Sequence, residues 1–172
     1  MPVPNTRSAT LLAGGKRKGM VMQATQPKLV TVAPDLVVED LRKSVDHYTK
    51  VLGFESAGIF EMNGEAVHAE VFVGTVRLMF GPRKMARGVL QSKLAKGVAV
   101  GAGVVLYVGL TEGIDAYYAQ VRELGAHVVD EITDQFWGDR TFMVEDPDGY
   151  LITFSQHVKD FPPEMLGLVK TE

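Results

Sequence analysis

The sequence predicts an α+β fold made of two tandem βαβββ modules. Two observations predict it. Residues 30–80 and 104–155 run through the same order of elements, with Gly125 following Gly53 by about 72 residues. In each copy the apolar spacing also changes from strand-like to helical and back, and the helix closes on a Leu-Gly pair (Leu52-Gly53, Leu124-Gly125). One such unit is too small to bury a good core alone, so the two are expected to pack together.

Leu29–Val38 alternates and reads as the first strand. Asp40 stands where a helix N-cap belongs. Leu41, Val45, Tyr48 and Leu52 follow at helical spacing and make one apolar stripe. Gly53 stops the helix, because the position after a helix C-cap favours a left-handed backbone. Glu55–Met62, Val67–Val73 and Val76–Phe80 read as strands, turned at Asn63-Gly64 and at Gly74-Thr75. In the second copy Val104–Leu110 is the strand, Ile114, Tyr117, Val121 and Leu124 form the stripe, and Gly125 is the stop. His127–Glu131, Arg140–Glu145 and Tyr150–Gln156 are the remaining strands. Residues 132–139 form a loop that carries Phe136 and Trp137, and Asp146-Pro147-Asp148-Gly149 is a tight turn.

The domain is expected over residues 28–157, as modules 28–82 and 103–157, between a mobile tail at 1–27 and a C-terminal tail at 158–172. The bridge at 83–102 holds Arg83, Lys84, Arg87, Lys93 and Lys96 and no acid, with a short helix expected between Met85 and Lys96. A solvated connector is the expected reading of the bridge; a cationic lid over an anionic ligand is the alternative.

Composition narrows the function classes. Of 172 residues, 46% are apolar and 23% charged, which is the balance of an ordinary globular chain. A formal net charge of -3 gives no basic field for nucleic acid. The absence of cysteine excludes disulfides and thiolate metal sites and fits a reducing, cytoplasmic location. No apolar run approaches the roughly 18 residues of a membrane span, so no membrane partner is expected. Residues 1–27 contain no acid, and their short apolar stretches are split by Gly14-Gly15-Lys16-Arg17-Lys18, which does not suit a secretory signal. A solvated tail is expected there, with a transit peptide or a nucleic-acid arm as alternatives.

Three groups of residues carry a resemblance: Asp40 with His47-Tyr48 and Val51-Leu52-Gly53-Phe54, then Trp137-Gly138-Asp139-Arg140, then Asp146-Pro147-Asp148-Gly149-Tyr150. Together they resemble the vicinal oxygen chelate superfamily of glyoxalase I, extradiol dioxygenases and bleomycin-resistance proteins, over about residues 29–157. The resemblance implies that the two modules curl their sheets into a cup with the helices outside, that the cup holds a small-molecule ligand, and that the protein is a homodimer.

Enzymes of this superfamily hold a divalent metal in the cup, on His, Gln or Glu from the first and fourth strands of each module. The resemblance places the first-strand ligand twenty residues before the helix-ending glycine, which gives Ala33 and Val105. It places the fourth-strand ligand four residues after the glycine of the last turn, which gives Leu78 and Thr153. None of the four is a strong donor for the ions concerned, and a shift of one residue either way finds no better one. No metal and no cofactor are therefore expected, and the pattern is closest to the bleomycin-resistance branch, whose members bind a drug without chemistry.

Strand parity supplies the expected cup lining. With Val67, Ala69 and Val71 under the helix, His68, Glu70 and Phe72 face the cup. Asp35, Tyr107 and Phe80 share faces with the counted positions Ala33, Val105 and Leu78, and Phe136 and Trp137 sit at the rim. The expected ligand-binding set is Asp35, His68, Glu70, Phe72, Phe80, Tyr107, Phe136 and Trp137, suited to an aromatic or cationic molecule. Thr141, Met143 and Glu145 face the same way. His47, His127 and His157 read as surface or packing residues. Arg140 reads as a structural ion-pair residue, with Asp146 or Asp148 as partner.

The function expected from this is metal-free binding of a small aromatic or cationic metabolite or antibiotic. The alternative is a lyase, isomerase or dioxygenase-like enzyme with a relocated site, using His68 and Glu70 as an acid–base pair. A third reading is an interaction protein with a vestigial cup, in which the basic bridge and the N-terminal tail carry the function.

Overall fold

Asp40 begins the first helix through its side chain, which accepts hydrogen bonds from the amides of Arg42 and Lys43 at 3.0 and 3.1 Å. The computed structural model describes residues 31–160 except Val98 and Ala102; the expected tails, apart from 158–160, lie outside the described residues. Strand β1 is Asp35–Val38, shorter than the sequence suggests. Pro34 has no amide to contribute to a ladder, and its carbonyl instead accepts from the Met79 amide at 2.9 Å. Helix α1 is Leu41–Asp46 and widens into a π turn over His47–Val51, closed by Leu52 N–H on the His47 carbonyl at 3.1 Å. Strands β2 (Glu55–Met62), β3 (Glu65–Val73) and β4 (Val76–Pro82) complete the first module.

A single 3-10 turn, Arg83–Met85, and helix α2, Gly88–Ala95, occupy the bridge. Strand β5 (Val105–Leu110), helix α3 (Ile114–Glu123) and strands β6 (His127–Asp134), β7 (Asp139–Glu145) and β8 (Leu151–His157) form the second module. Strand β6 runs three residues further than expected, through two breaks in its register with β7.

Each module makes its own four-stranded sheet, in the orders β1-β4-β3-β2 and β5-β8-β7-β6. The pairs β1/β4 and β5/β8 are parallel and the others antiparallel. In register, the face of the first sheet turned to its helix carries Leu36, Phe80 and Ala69 in one row. The opposite, open face carries Asp35, Met79 and Glu70 in the next row. The second sheet has Phe142, Val144, Ile152 and Phe154 inside, and Tyr107, Thr153 and Met143 in a row on its open face.

One core spans both modules on their helix sides. The stripe of α1, Leu41, Val45, Tyr48 and Leu52, is fully buried. In α3 Ile114 and Val121 are buried, whereas Leu124 at the C-cap turns outward. Ring contacts pass from one sheet to the other: Phe80–Tyr48 at 4.9 Å, Tyr48–Phe54 at 5.6 Å, Phe54–Phe154 at 6.5 Å and Phe154–Phe142 at 5.0 Å.

The turn between β7 and β8 fastens the modules together. Asp148 accepts the Glu39 amide and the Ser44 hydroxyl, each at 2.7 Å. Asp146 accepts the Tyr48 hydroxyl at 2.9 Å, and the Tyr150 hydroxyl lies 2.9 Å from the Val37 amide and 3.1 Å from the Val37 carbonyl. Tyr117 donates to the Leu52 carbonyl at 2.8 Å. The acidic turn in the sequence is therefore an inter-module clasp. Among the described residues no helix is long and apolar enough to cross a membrane.

Candidate functional site

Alternation along the strands divides the expected binding residues between the two open faces. On the first sheet the side chain of Glu70 lies 3.3 Å from His68 Nε2 and 3.3 Å from Arg77 Nη1. Phe72 is half-buried in the neighbouring row, whose β4 member is Arg77. The exposed Phe60 ring lies 5.6 Å from the His68 ring. A cleft of about 290 Å³ opens between this face and the bridge, lined by Asp35, Val37, His68, Gly81, Met85 and Arg87 among others.

Phe80 does not belong to this lining. It is 0% exposed and packs on Tyr48, and Leu78 beside it is 5% exposed on the same side. The β4 residues on the open face are Arg77, Met79 and Gly81, which pair with Phe72, with Glu70 and Asp35, and with Val37. The counterpart of Thr153 in the first module is accordingly Met79.

The bridge cations are mostly engaged by the protein. Arg83 pairs with Glu39, Lys84 with Glu65 at 3.0 Å, and Arg87 donates to the Lys84 and Ala86 carbonyls. The Arg83 and Lys84 ion pairs tie the start of the bridge to the first module, and Arg87, bonded to backbone carbonyls, lines the cleft.

On the second sheet Tyr107 is 59% exposed, and Phe136 meets Trp137 edge to face at 4.9 Å. The Trp137 indole N–H donates to Asp139 at 3.1 Å. Asp139 also accepts the Ser155 hydroxyl at 3.2 Å and lies 3.0 Å from His157 Nδ1. These donors hold the Asp139 carboxyl below the usual range, with His157 the largest cause, and Asp139 in turn raises the imidazole's pKa. A groove of about 390 Å³ runs along the free edge of β5, lined by Pro34, Val76, Leu78, Val105, Tyr107 and Gly109 among others.

Sequence reading missed Asp139, Ser155 and His157. The signal was available: Thr153, Ser155 and His157 alternate onto one face of β8, so placing Thr153 in the cup places the other two beside it. Gly138 is part of the same construction. Its φ is +97°, and a Cβ there would meet the Lys159 carbonyl at 1.9 Å, so the turn after Trp137 accepts only glycine.

Arg140 points to the helix side rather than to the clasp. It bonds Asp115 at 2.9 Å and Asp134 at 2.5 Å, not Asp146 or Asp148. Both carboxylates are largely exposed, and the Arg140 side chain is one-third exposed. Arg140→Ala should therefore leave the urea midpoint close to that of the parent, since ion pairs on exposed carboxylates contribute little; a large fall in the midpoint would mean that the pair network is structural.

The sequence matches the Glyoxalase/Bleomycin resistance protein/Dioxygenase superfamily over residues 28–154. The chain belongs to this superfamily. It is 32% identical over 134 residues to the bleomycin resistance protein of Geobacillus stearothermophilus, covering 73% of this chain and 96% of that one. It is 30% identical over 132 residues to an uncharacterised Mycobacterium tuberculosis protein, covering 75% of each. Among solved structures, TioX from Micromonospora sp. ML1 superposes with a TM-score of 0.60 at 22% identity, over 75% of this chain and 99% of that one. A superfamily member from Nocardioides gives 0.58 at 21% identity, over 81% and 91%. These two likenesses concern the fold.

The positions at which the superfamily resemblance places metal donors hold Ala33, Leu78, Val105 and Thr153; Leu78 is buried on the helix side, and the open-face residue in its place is Met79. Asp35 and Glu70 flank Met79 in its row, one strand away on either side. No group of three or more His, Asp or Glu gathers into a metal-holding cluster among the described residues. This donor set does not fit the superfamily's divalent ion, which takes several oxygen or imidazole ligands from one locus.

Proposed function

We propose that this chain is a metal-free small-molecule binding protein of the bleomycin-resistance type, which takes an aromatic or cationic metabolite or antibiotic on its open sheet faces. The observation that carries the reading is the replacement of metal donors by Ala33, Met79, Val105 and Thr153 in a chain that keeps the fold. The exposed rings of Phe60, Tyr107 and Phe136 support it, since flat apolar area facing solvent on a sheet is suited to stacking. Asp35, Glu70 and Asp139 supply carboxylates for a cationic group.

Each open face is half of a container, because the shared core lies on the opposite side of each sheet. A homodimer that brings one protomer's first sheet against its partner's second sheet would close both. The cysteine-free sequence suits a reducing, cytoplasmic setting.

The test is bound metal together with ligand-induced stabilisation. After soaking in excess Zn, Ni, Mn or Fe(II) and desalting, well under one metal per chain should remain. Bleomycin or a panel of aromatic cations should raise the melting temperature saturably, by an amount corresponding to about 2.7 kcal/mol at a hundred times Kd. Tyr107→Ala should weaken that binding about tenfold, or roughly 1.4 kcal/mol, with the fold intact. Stoichiometric tight metal would sink the reading.

A specific contact favours the enzymatic alternative, the 3.3 Å approach of His68 to Glu70. The same Glu70 oxygen lies 3.3 Å from Arg77 Nη1, so the carboxylate is shared between the imidazole and the guanidinium. Turnover abolished by His68→Ala in a folded variant would establish that alternative.

A further inference from the structure

Most charges around the cleft beneath the bridge are matched by the protein itself. Arg83 pairs with Glu39, Lys84 with Glu65, and Glu70 lies 3.3 Å from both His68 and Arg77. Two charges that line the cleft have no such match among the described residues. Asp35, on β1, makes no hydrogen bond or ion pair, and its Oδ1 lies 3.9 Å from where a Cβ on Gly81 would be. Arg87, in the bridge, bonds only through Nη1, to the Lys84 carbonyl at 3.4 Å and the Ala86 carbonyl at 3.2 Å. Its Nε–Nη2 edge is left over, and that edge matches the two oxygens of a carboxylate. No ion pair joins Asp35 to Arg87, so the cleft presents one anion and one cation, both exposed.

Apolar groups fill the lining between them. Val37 and Gly81, partners in register on β1 and β4, come from the sheet, and Met85 and Leu90 come from the bridge. Helix α2 buries none of its residues, and Leu90 is 45% exposed. The apolar side chains of the bridge thus border about 290 Å³ of open space instead of a packed interface. Apolar walls with a few polar groups are the usual build of a small-molecule site. A purely cationic ligand on Asp35 would meet the like charge of Arg87, and a purely anionic one on Arg87 would meet that of Asp35. A ligand that carries both signs satisfies both residues.

We propose that this cleft takes an ambipolar ligand, with an ammonium on Asp35, a carboxylate on Arg87 and an apolar or aromatic body against Val37, Met85 and Leu90. Amino acids with large apolar side chains are the simplest members of that class. The ligand ammonium donates to the Asp35 carboxylate, and the Arg87 guanidinium donates to the ligand carboxylate. This assignment deepens the binding reading, on which it rests, by adding a carboxylate to the cationic group that the ligand already carries there. The residue that recognises the added group stands in the bridge, outside both sheets.

Three probes share one body and differ in charge. Phenylalanine carries both groups, 2-phenylethylamine lacks the carboxylate, and 3-phenylpropanoate lacks the ammonium. Equilibrium dialysis at neutral pH measures the Kd of each. Phenylalanine is expected to bind about tenfold more tightly than either of the others, or roughly 1.4 kcal/mol. Arg87→Ala should abolish its preference over 2-phenylethylamine, and Asp35→Asn its preference over 3-phenylpropanoate. Lys93→Ala, in the last turn of α2 and outside the lining, should leave both preferences unchanged. Circular dichroism verifies the fold of each variant, and the order of the three probes on the parent protein is a test by itself if a variant is unstable. Phenylalanine bound no more tightly than one of its analogues overturns the proposal and leaves the binding reading in place. Preferences that survive in Arg87→Ala and Asp35→Asn do the same. No binding of any probe at millimolar concentration also overturns it, while the bleomycin measurement decides the binding reading separately.

Discussion

Phe80→Ala is expected to destabilise the domain by about 3–5 kcal/mol, the usual cost of emptying a buried aromatic site. Phe80 has no exposed surface, its ring lies 4.9 Å from that of Tyr48, and Leu36 and Ala69 flank it across the strands. Tyr48 is itself fixed by the clasp, so the surroundings cannot collapse freely into the cavity. Urea unfolding followed by circular dichroism measures the effect. Phe60→Ala, on the open face and 53% exposed, should stay within about 1 kcal/mol. The reverse pattern, stability kept and ligand lost in Phe80→Ala, would return Phe80 to the binding surface.

The second large effect is expected at Asp146. Its carboxylate accepts the Tyr48 hydroxyl at 2.9 Å and the amides of Asp148 and Tyr150 at 2.9 and 2.8 Å. Asp146→Ala leaves these donors without a partner in the interior and should cost about 3 kcal/mol. Asp146→Asn keeps an acceptor and should cost less, and the comparison with it isolates the charge. Burial raises the Asp146 pKa against the lowering effect of its hydrogen bonds. The folded state therefore binds the proton more tightly than the unfolded chain, whose carboxyl titrates near 3.9. The stabilisation linked to that proton is full below the unfolded value and is lost as pH rises through the raised folded value. Wild type should gain on Asp146→Asn as the pH is lowered from neutrality. A difference between the two that does not change with pH would mean that burial does not penalise this charge.

The repeat, the helical stripes and the cap at Asp40 were legible because each is a local pattern of side-chain size and spacing. The face of β4 was not. Counting from the turn glycine assumed equivalent hairpins, but β3 and β4 join through two residues, Gly74-Thr75, and β7 and β8 through five, Asp146 to Tyr150. Paired residues share a face whatever the turn length, and β3 ends with Val73 on the helix side whereas β7 ends with Glu145 on the open side, so β4 and β8 leave their turns in opposite phase. Leu78 and Phe80 thus went to the wrong face, whereas Thr153 did not. The open-face positions of Asp35, His68, Glu70 and Tyr107 were legible from strand alternation. Their division between two faces was not, because it depends on how the modules share a core. The partners of Arg140, Asp146 and Asp148 were missed because long-range pairing leaves no local signature.

The clasp also constrains the order in which the chain can become ordered. Its bonds join residues 98 to 113 positions apart. The first module leaves the ribosome with Tyr48 and the β1 backbone at Val37 still waiting for Asp146 and Tyr150. Contacts of such separation make folding slow and make it a property of the whole sequence. What began as two similar halves now behaves as one cooperative unit, in which the second completes the first, and neither half expressed alone would hold the structure that it has in the pair.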